Sequence, residues 1–106
     1  MSTFVIAWRY AVRPERVDDF LPAYRPDGAW ARMFRRSVDY LGTDLLQAVD
    51  DATTYMTIDR WTSVAARRDF LAAHAAEYAA LDAQCAAFTT AETLVGEFVL
   101  DTPPAH

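Results

Sequence analysis

TYMTIDRWTSVAARRDFLAAHAAEYAALDAQCAAF, residues 54 to 88, is the stretch that decides the fold of this chain of 106 residues. Residues 54 to 61 predict a strand that ends at a tryptophan. Side chains two residues apart share a strand face, so one face carries Tyr55, Thr57, Asp59 and Trp61. Thr62 or Ser63 can cap a helix directly afterwards. The stretch therefore predicts a strand that leads straight into a helix.

The predicted helix has one apolar face. Its apolar side chains recur at spacings of three and four residues, which places them in one stripe. The stripe consists of Phe70, His74, Tyr78, Leu81, Cys85 and Phe88. The run is long enough for a break near residues 72 to 76. We expect any pocket to lie under this helix, with His74 facing into it.

The rest of the chain supplies three more strands and a first helical connection. Residues 3 to 13 alternate between two faces, one of them aromatic. Residues 14 to 21 predict a short helix that Pro22 should end or bend, and a second short helix follows around Trp30 and Phe34. Residues 40 to 49 and 54 to 61 predict a hairpin, and residues 92 to 100 a last strand. The order βαββαβ predicts an α+β, ferredoxin-like fold, a four-stranded antiparallel sheet with its helices on one face.

The other face of that sheet has no cover in a single copy of the chain. It is expected to expose small and apolar side chains, namely Ala7, Ala11, Leu41, Leu45, Val95 and Val99. An apolar area of that size is unfavourable in water. We therefore predict a homodimer whose two sheets pack face to face.

Length and composition indicate a single domain, residues 1–106. The chain is 53% hydrophobic and 13% aromatic, which describes a packed globular protein. A net charge of -5 argues against nucleic acid as a partner. Cys85 is the only cysteine, which suits a reducing compartment, and no segment reaches the ~20 apolar residues of a membrane helix. We expect a soluble, cytoplasmic protein that binds neither nucleic acid nor membrane.

Three side chains are candidates for handling a proton. A histidine suits acid or base chemistry near neutrality, so His74 is one, although a core histidine bonded to a carbonyl or a tyrosine fits as well. Burial would raise the pKa of Asp59 toward a useful range, but an ion pair with Arg9 is the alternative that we favour. Tyr78 can donate a hydrogen bond or simply pack. One histidine without further ligands at suitable spacing predicts no metal site.

Three motifs resemble a known family. YRPDGAWARMFRRSVDYLGTDLL (residues 24 to 46), YMTIDRW (55 to 61) and HAAEYAAL (74 to 81) resemble segments of the antibiotic biosynthesis monooxygenase family. That family belongs to the dimeric α+β barrel superfamily, and the resemblance covers residues 4 to 100. It implies the dimeric barrel fold. In characterised members that use no cofactor, a polycyclic phenol binds between sheet and helices, loses a proton and reacts as an anion directly with oxygen.

The resemblance also implies a site. It makes Trp61 the tryptophan at the end of the site strand, so we expect catalytic roles for Trp61, His74, Asp59 and Tyr78. The expected substrate-binding wall consists of Trp8, Tyr24, Trp30, Phe34, Tyr55 and Phe70. Three tryptophans in so small a domain suit a flat aromatic ligand. The chain departs from the family in one respect: it contains no asparagine, whereas the family's oxygenases and haem-degrading members use one on a strand.

The functional hypothesis that follows is a cofactor-independent monooxygenase, an enzyme that oxidises an aromatic or polyketide-derived phenol with molecular oxygen. Two alternatives stay open. One is a polyketide cyclase or isomerase that only moves a proton. The other is a non-catalytic dimeric domain that binds a small ligand. Oxygen uptake separates the first two, and a collapsed pocket would favour the last.

Overall fold

Four strands form one antiparallel sheet in the computed structural model, which describes residues 2–101. They are β1 (Ser2–Val12), β2 (Tyr40–Gln47), β3 (Thr54–Trp61) and β4 (Thr89–Asp101), and they lie in the order β2-β3-β1-β4. The two strands nearest the middle, β1 and β3, carry the most regular alternation in the sequence. The predicted ferredoxin-like α+β fold is confirmed.

The helices pack on one face of the sheet, the face that carries the even-numbered side chains of β1. They are α1 (Val17–Tyr24), α2 (Ala29–Phe34), α3 (Val64–Ala73) and α4 (Ala75–Cys85), with short 3₁₀ turns at Pro14–Arg16 and Ala86–Phe88. Ser63 caps α3, because its Oγ accepts a hydrogen bond of 3.0 Å from the backbone N–H of Ala66. We call this sheet face the helix side and the opposite one the free side.

Pro22 does not end α1, so the part of the prediction that ends the helix there is wrong. The helix continues to Tyr24, and the backbone N–H of Arg25 still bonds the Leu21 carbonyl at 3.0 Å. Pro22 and Asp18 are both exposed. Water can therefore hydrate the carbonyl of Asp18 that the proline leaves without a helical partner, and the cost of the missing bond is small.

Two aromatic clusters form the core between helices and sheet. Trp61 and Phe20 are the largest fully buried side chains, each at the centre of one cluster. The ring of Trp61 lies 5.4 Å from that of Phe34, 5.3 Å from that of Tyr40 and 5.6 Å from that of Phe70. Burial of one such ring contributes roughly 2–3 kcal/mol. The clusters fix α2 and α3 against the end of β3.

Gly28 lets the connection between α1 and α2 turn close to the first helix. A Cβ at this position would lie 2.7 Å from the backbone oxygens of both Pro22 and Ala23. Only a residue without a side chain fits there. Gly28 thereby places α2 against the sheet.

A bulge in β2 changes which of its side chains face the helices. Tyr40 lies opposite Trp61, but the register shifts there, so that Gly42 and not Leu41 lies opposite Arg60. Gly42 adopts φ +140°, in the region that favours glycine. Every later residue of β2 therefore changes face. Leu45 consequently packs into the core on the helix side, and the prediction that it lies on the free side is wrong.

The prediction for Val99 is wrong for a similar reason. A second register shift lies between the partners of Ala7 and Trp8, and beyond it Val99 of β4 lies opposite Phe4, which faces the helices. The free side is nevertheless apolar, as predicted. Phe98, Leu100 and Leu46 retain 51%, 50% and 41% of their surface exposed.

No helix within residues 2–101 is long and apolar enough to cross a membrane.

Candidate active site

A cleft opens between the helix side of the sheet and the helices α2, α3 and α4. Its lining combines aromatic walls with polar and charged side chains: Trp8, Tyr24, Arg25, Trp30, Ala31, Phe34, Thr43, Thr57, Asp59, Arg67, Tyr78, Asp82 and Glu92. The empty volume is about 470 Å³ including the open mouth. Only about 30 Å³ of it is wide enough to admit the centre of a water molecule, which is room for about one or two waters. A polycyclic ligand therefore requires the aromatic wall to move.

Asp59 supplies the buried carboxyl of the cleft. It lies on β3, opposite Thr43 of β2, and the Thr43 hydroxyl donates a hydrogen bond of 2.5 Å to its Oδ1. The hydroxyl of Thr43 is also hydrogen-bonded to the phenol of Tyr40. Burial raises the pKa of Asp59 from 3.8 to about 6, although the Thr43 bond and the charge of Arg67 oppose the rise. A carboxyl of this kind exchanges a proton close to neutral pH.

The second oxygen of Asp59 is not held by a hydrogen bond from the described chain. Among residues 2–101, no side chain or backbone group donates a hydrogen bond to Oδ2. This oxygen is also not among the buried polar atoms without a partner, so it has access to solvent. One oxygen of the carboxylate is thus held in place by Thr43 while the other is available to a ligand.

The aromatic wall stands beside this carboxyl. Trp30 of α2 contacts Tyr78 of α4 edge to face, with ring centroids 5.0 Å apart, and lies 5.9 Å from Phe34 on its own helix. Tyr24 lies 6.2 Å from Trp30 on the other side. The indole Nε1 of Trp30 is buried without a hydrogen-bond partner in the described chain. The flat rings suit an aromatic ligand.

Charged groups of both signs lie around the cleft. Arg67 comes from α3, Asp82 from α4 and Glu92 from β4. Burial and then the nearby charge of Asp82 raise the pKa of Glu92. Burial likewise raises the pKa of Tyr78, whereas the charge of Arg67 opposes that rise. Tyr78 is therefore a neutral hydrogen-bond donor across the physiological pH range.

The structure brings together six of the ten predicted site residues. They are Asp59, Tyr78, Trp8, Tyr24, Trp30 and Phe34, and all of them line the cleft.

The other four predicted site residues lie outside the cleft. Trp61 has no exposed surface, and Phe70 packs against it in the same core cluster. Tyr55 belongs to the second cluster, with its ring 5.1 Å from that of Phe20. Trp61 therefore cannot contact a ligand in the cleft unless the core unpacks.

The prediction that His74 faces the pocket is wrong. The long helix divides at this residue, which separates α3 from α4 with φ −122° and ψ 30°. The imidazole instead stacks at 4.4 Å from the ring of Phe70 and places its Nδ1 3.5 Å from the carboxylate of Glu77, with 30% of the side chain exposed. His74 therefore packs beside Phe70 of the stripe but does not line the cleft.

The favoured ion pair between Asp59 and Arg9 is also wrong. Asp59 lies opposite Ile6 of β1, so its side chain shares the helix side with Ile6, whereas Arg9 is an odd number of residues away and points to the free side. The two charges are separated by the sheet.

Sequence reasoning missed the polar floor of the cleft. Thr43 and Thr57 meet Asp59 there, and the Oγ1 of Thr57 lies 3.3 Å from the phenol oxygen of Tyr10. Thr57 carried a signal, since it shares the strand face of Asp59. Thr43 carried none, because its face depends on the bulge at Gly42.

The architecture defines a class: the chain has the ferredoxin-like α+β fold of structures known as antibiotic biosynthesis monooxygenases. One of these has a TM-score of 0.66 at 22% identity, covering 98% of this chain and 100% of that one. A point mutant of SnoaB, a cofactor-independent oxygenase from Streptomyces nogalater, has a TM-score of 0.68 at 18% identity, with coverage of 97% and 95%. A conserved protein from Methanosarcina mazei Go1 has a TM-score of 0.68 at 8% identity, with coverage of 97% and 95%.

At these identities the likeness establishes the fold, which is the fold implied by the sequence motifs. No protein-family model and no curated protein sequence matches the chain.

Proposed function

We propose that the protein is a cofactor-independent monooxygenase, which oxidises an aromatic or polyketide-derived phenol with molecular oxygen. The observation that carries the proposal is Asp59, a carboxyl that lines an aromatic cleft, whose pKa burial raises to about 6 and whose Oδ2 accepts no hydrogen bond from the described chain. Such a group is a suitable general base for a phenol near neutral pH. The likeness in fold to a cofactor-independent oxygenase supports the same chemistry.

Each part of the cleft has a role in this reaction. Trp30 and Phe34 hold the flat rings, and Oδ2 of Asp59 takes the proton of the substrate, whose electron pair stays on the substrate as an anion. This anion supplies the electrons that reduce oxygen. For an anthrone, which reacts as its phenol tautomer, the O–H proton goes to Asp59 and a C–O bond forms at the opposite carbon of the central ring. The O–O bond then breaks, and one oxygen atom leaves as water with that proton and the hydrogen of this carbon. The other oxygen becomes the carbonyl of the quinone, so that no external reductant is needed.

Oxygen uptake with anthrone tests the proposal. The dialysed, chelator-treated protein should consume one O₂ for each anthraquinone formed, faster than the protein-free solution, and the rate should rise with pH through about 6 as Asp59 ionises. Asp59→Asn should lower the rate by about 100-fold or more. Asp44→Asn is the matched control, because Asp44 is an exposed aspartate that pairs with Arg60 away from the cleft. A wild-type rate no greater than the protein-free rate, or an unchanged rate in Asp59→Asn, refutes the proposal.

A second candidate, a cyclase or isomerase that moves a proton without oxygen, is favoured by the same carboxyl. A base of pKa about 6 acts equally well on a carbon acid. Conversion of a substrate under nitrogen at the aerobic rate identifies this activity. The narrow interior of about 30 Å³ favours the third candidate, a domain that only binds a ligand. This candidate is identified if a ligand quenches tryptophan fluorescence saturably but is not converted.

We also propose that the working unit is a homodimer. Phe98 and Leu100 are half exposed on the free side of the sheet, on an edge strand of 13 residues. An apolar sheet face is unfavourable in water, and it is covered when the same face of a second copy packs against it, as predicted from the sequence. Light scattering at micromolar concentration should give twice the chain mass of 11.9 kDa, and Phe98→Glu should give the single chain. A wild-type mass of one chain refutes this assembly.

A further inference from the structure

The guanidinium of Arg67 lies in the cleft without a bonded partner. It lines the same cleft as Asp59 and Tyr78, from the first turns of α3. Within residues 2–101 it takes part in no ion pair and donates no side-chain hydrogen bond, whereas the arginines at 16, 36 and 60 each pair with a carboxylate. Arg67 is only partly exposed, so its charge is incompletely hydrated. An unpaired, partly buried guanidinium is available to an anion.

The charge balance of the cleft makes such an anion site necessary for a phenolate. Three carboxyl groups line the cleft, those of Asp59, Asp82 and Glu92, against two guanidinium groups, those of Arg25 and Arg67. When the carboxyls are ionised, they repel an anionic ligand. Of the two arginines, Arg25 is exposed on the connection between α1 and α2, whereas Arg67 is partly buried and lines the cleft together with Asp59 and Tyr78. Arg67 is therefore the arginine that can stabilise an anionic ligand beside Asp59.

We propose that Arg67 is the substrate-binding residue that holds the oxyanion produced when Asp59 takes the substrate's proton. The proposal rests on the proposed function, since it places the substrate hydroxyl between these two side chains. The O–H bond breaks, the proton goes to Oδ2 of Asp59, and the electron pair remains on the phenol oxygen beside the guanidinium. The substrate class is thus a planar phenol that binds as its anion. No ion pair joins Arg67 to Asp59 among residues 2–101, so neither group is already neutralised by the other.

Titration of a bound, unreactive phenol tests this role without any turnover. The probe is 2-hydroxyanthraquinone, which already carries the oxidised ring and whose phenolate is coloured. On the wild-type protein, the pH midpoint of its colour change should lie below that of the free probe. In Arg67→Gln the midpoint should rise, and binding of the phenolate at pH 9 should weaken by about tenfold or more. Arg67→Lys should recover part of the wild-type midpoint, because it retains the charge and loses the planar fork.

Arg68→Gln is the matched control, since Arg68 is the next residue of α3, is exposed and does not line the cleft. It should leave the midpoint and the affinity unchanged. Equal midpoints in wild type and Arg67→Gln, with circular dichroism showing that both are folded, overturn the proposal, as does a wild-type protein that does not bind the probe. This outcome is independent of the oxygen assay. If the pH midpoint of the probe depends on Arg67 but no oxygen is consumed, the anion site is supported and the oxygenase function is refuted.

Discussion

Asp59→Asn should make the protein more stable above neutral pH, because the wild-type carboxylate is held in an unfavourable place. Its pKa is about 6 in the folded chain against an ordinary value of 3.8, so the folded state binds the proton more tightly than the unfolded state does. Each pKa unit corresponds to ~1.4 kcal/mol. The rise from 3.8 to about 6 therefore costs roughly 3 kcal/mol whenever the carboxyl is ionised.

The pH window follows from the same two values. Above about pH 6 the full cost is present, it falls as the pH drops from about 6 toward 3.8, and below 3.8 the two proteins should be equally stable. Asparagine has the same shape, keeps an oxygen for the Thr43 hydroxyl and has no charge to desolvate. Urea unfolding at pH 8 should thus give Asp59→Asn an advantage of up to roughly 3 kcal/mol, which disappears near pH 4.

A matched substitution on the opposite sheet face controls for the general effect of removing a negative charge. Asp44→Asn loses an exposed ion pair with Arg60 and should cost at most ~1 kcal/mol at any of these pH values. All measurements use one protein concentration, so that any assembly affects the variants equally. An Asp59→Asn protein that is no more stable than wild type at pH 8, or whose advantage is the same at pH 5 and pH 8, refutes the account of this carboxyl.

The remaining predictions concern the residues that shape the cleft. Gly28→Ala should lower the free energy of unfolding in urea by about 1–3 kcal/mol, since the new Cβ meets two backbone oxygens, and wild-type stability would contradict that close approach. Gly42→Ala should also cost about 1–3 kcal/mol, here from the backbone alone, because φ is +140° and nothing lies within 4 Å of the new Cβ. Thr43→Val should move the pKa of Asp59 above its wild-type value of about 6 in a carboxyl NMR titration, as the hydrogen bond that opposes the rise is lost; an unchanged or lower value would disprove that bond. His74→Ala should keep anthrone turnover within about twofold of wild type, because the imidazole lies outside the cleft, and a much larger loss would show that it reaches the substrate.

Two sequence patterns were sufficient to predict most of the fold: the alternation of apolar residues in strands and their spacing of three to four residues in helices. The alternation around Trp8 and the run ending at Trp61 place both strands correctly, because each has one face that must be buried. The same patterns predict the aromatic wall, since Trp30 and Phe34 are one helical turn apart and both face the sheet. Burial of the large rings determines the structure at these positions, and the hydrophobic periodicity of a sequence indicates which faces are buried.

The polar part of the site could not be predicted in the same way. His74 lies on the predicted apolar stripe and stacks on Phe70, yet it does not line the cleft. Trp61 was expected to face a ligand, but Phe34, Tyr40 and Phe70 surround its ring. Both errors come from tertiary packing. Side chains on the same face of a helix or strand can lie in the core or line the cleft, and the sequence pattern does not distinguish the two.

The bulge in β2 connects the fold to the chemistry of the cleft. With a regular register, Gly42 would lie opposite Asp59, and Thr43 would point to the free side, away from the carboxyl. The extra residue reverses this, and so the Thr43 hydroxyl reaches Oδ1 of Asp59 while Leu45 enters the core. Burial raises the pKa of Asp59, and the Thr43 hydrogen bond opposes that rise, as do the charges of Arg67 and Arg60. The change in strand register thus favours the ionised carboxylate on which the proposed reaction depends, because it brings the Thr43 hydroxyl to Oδ1.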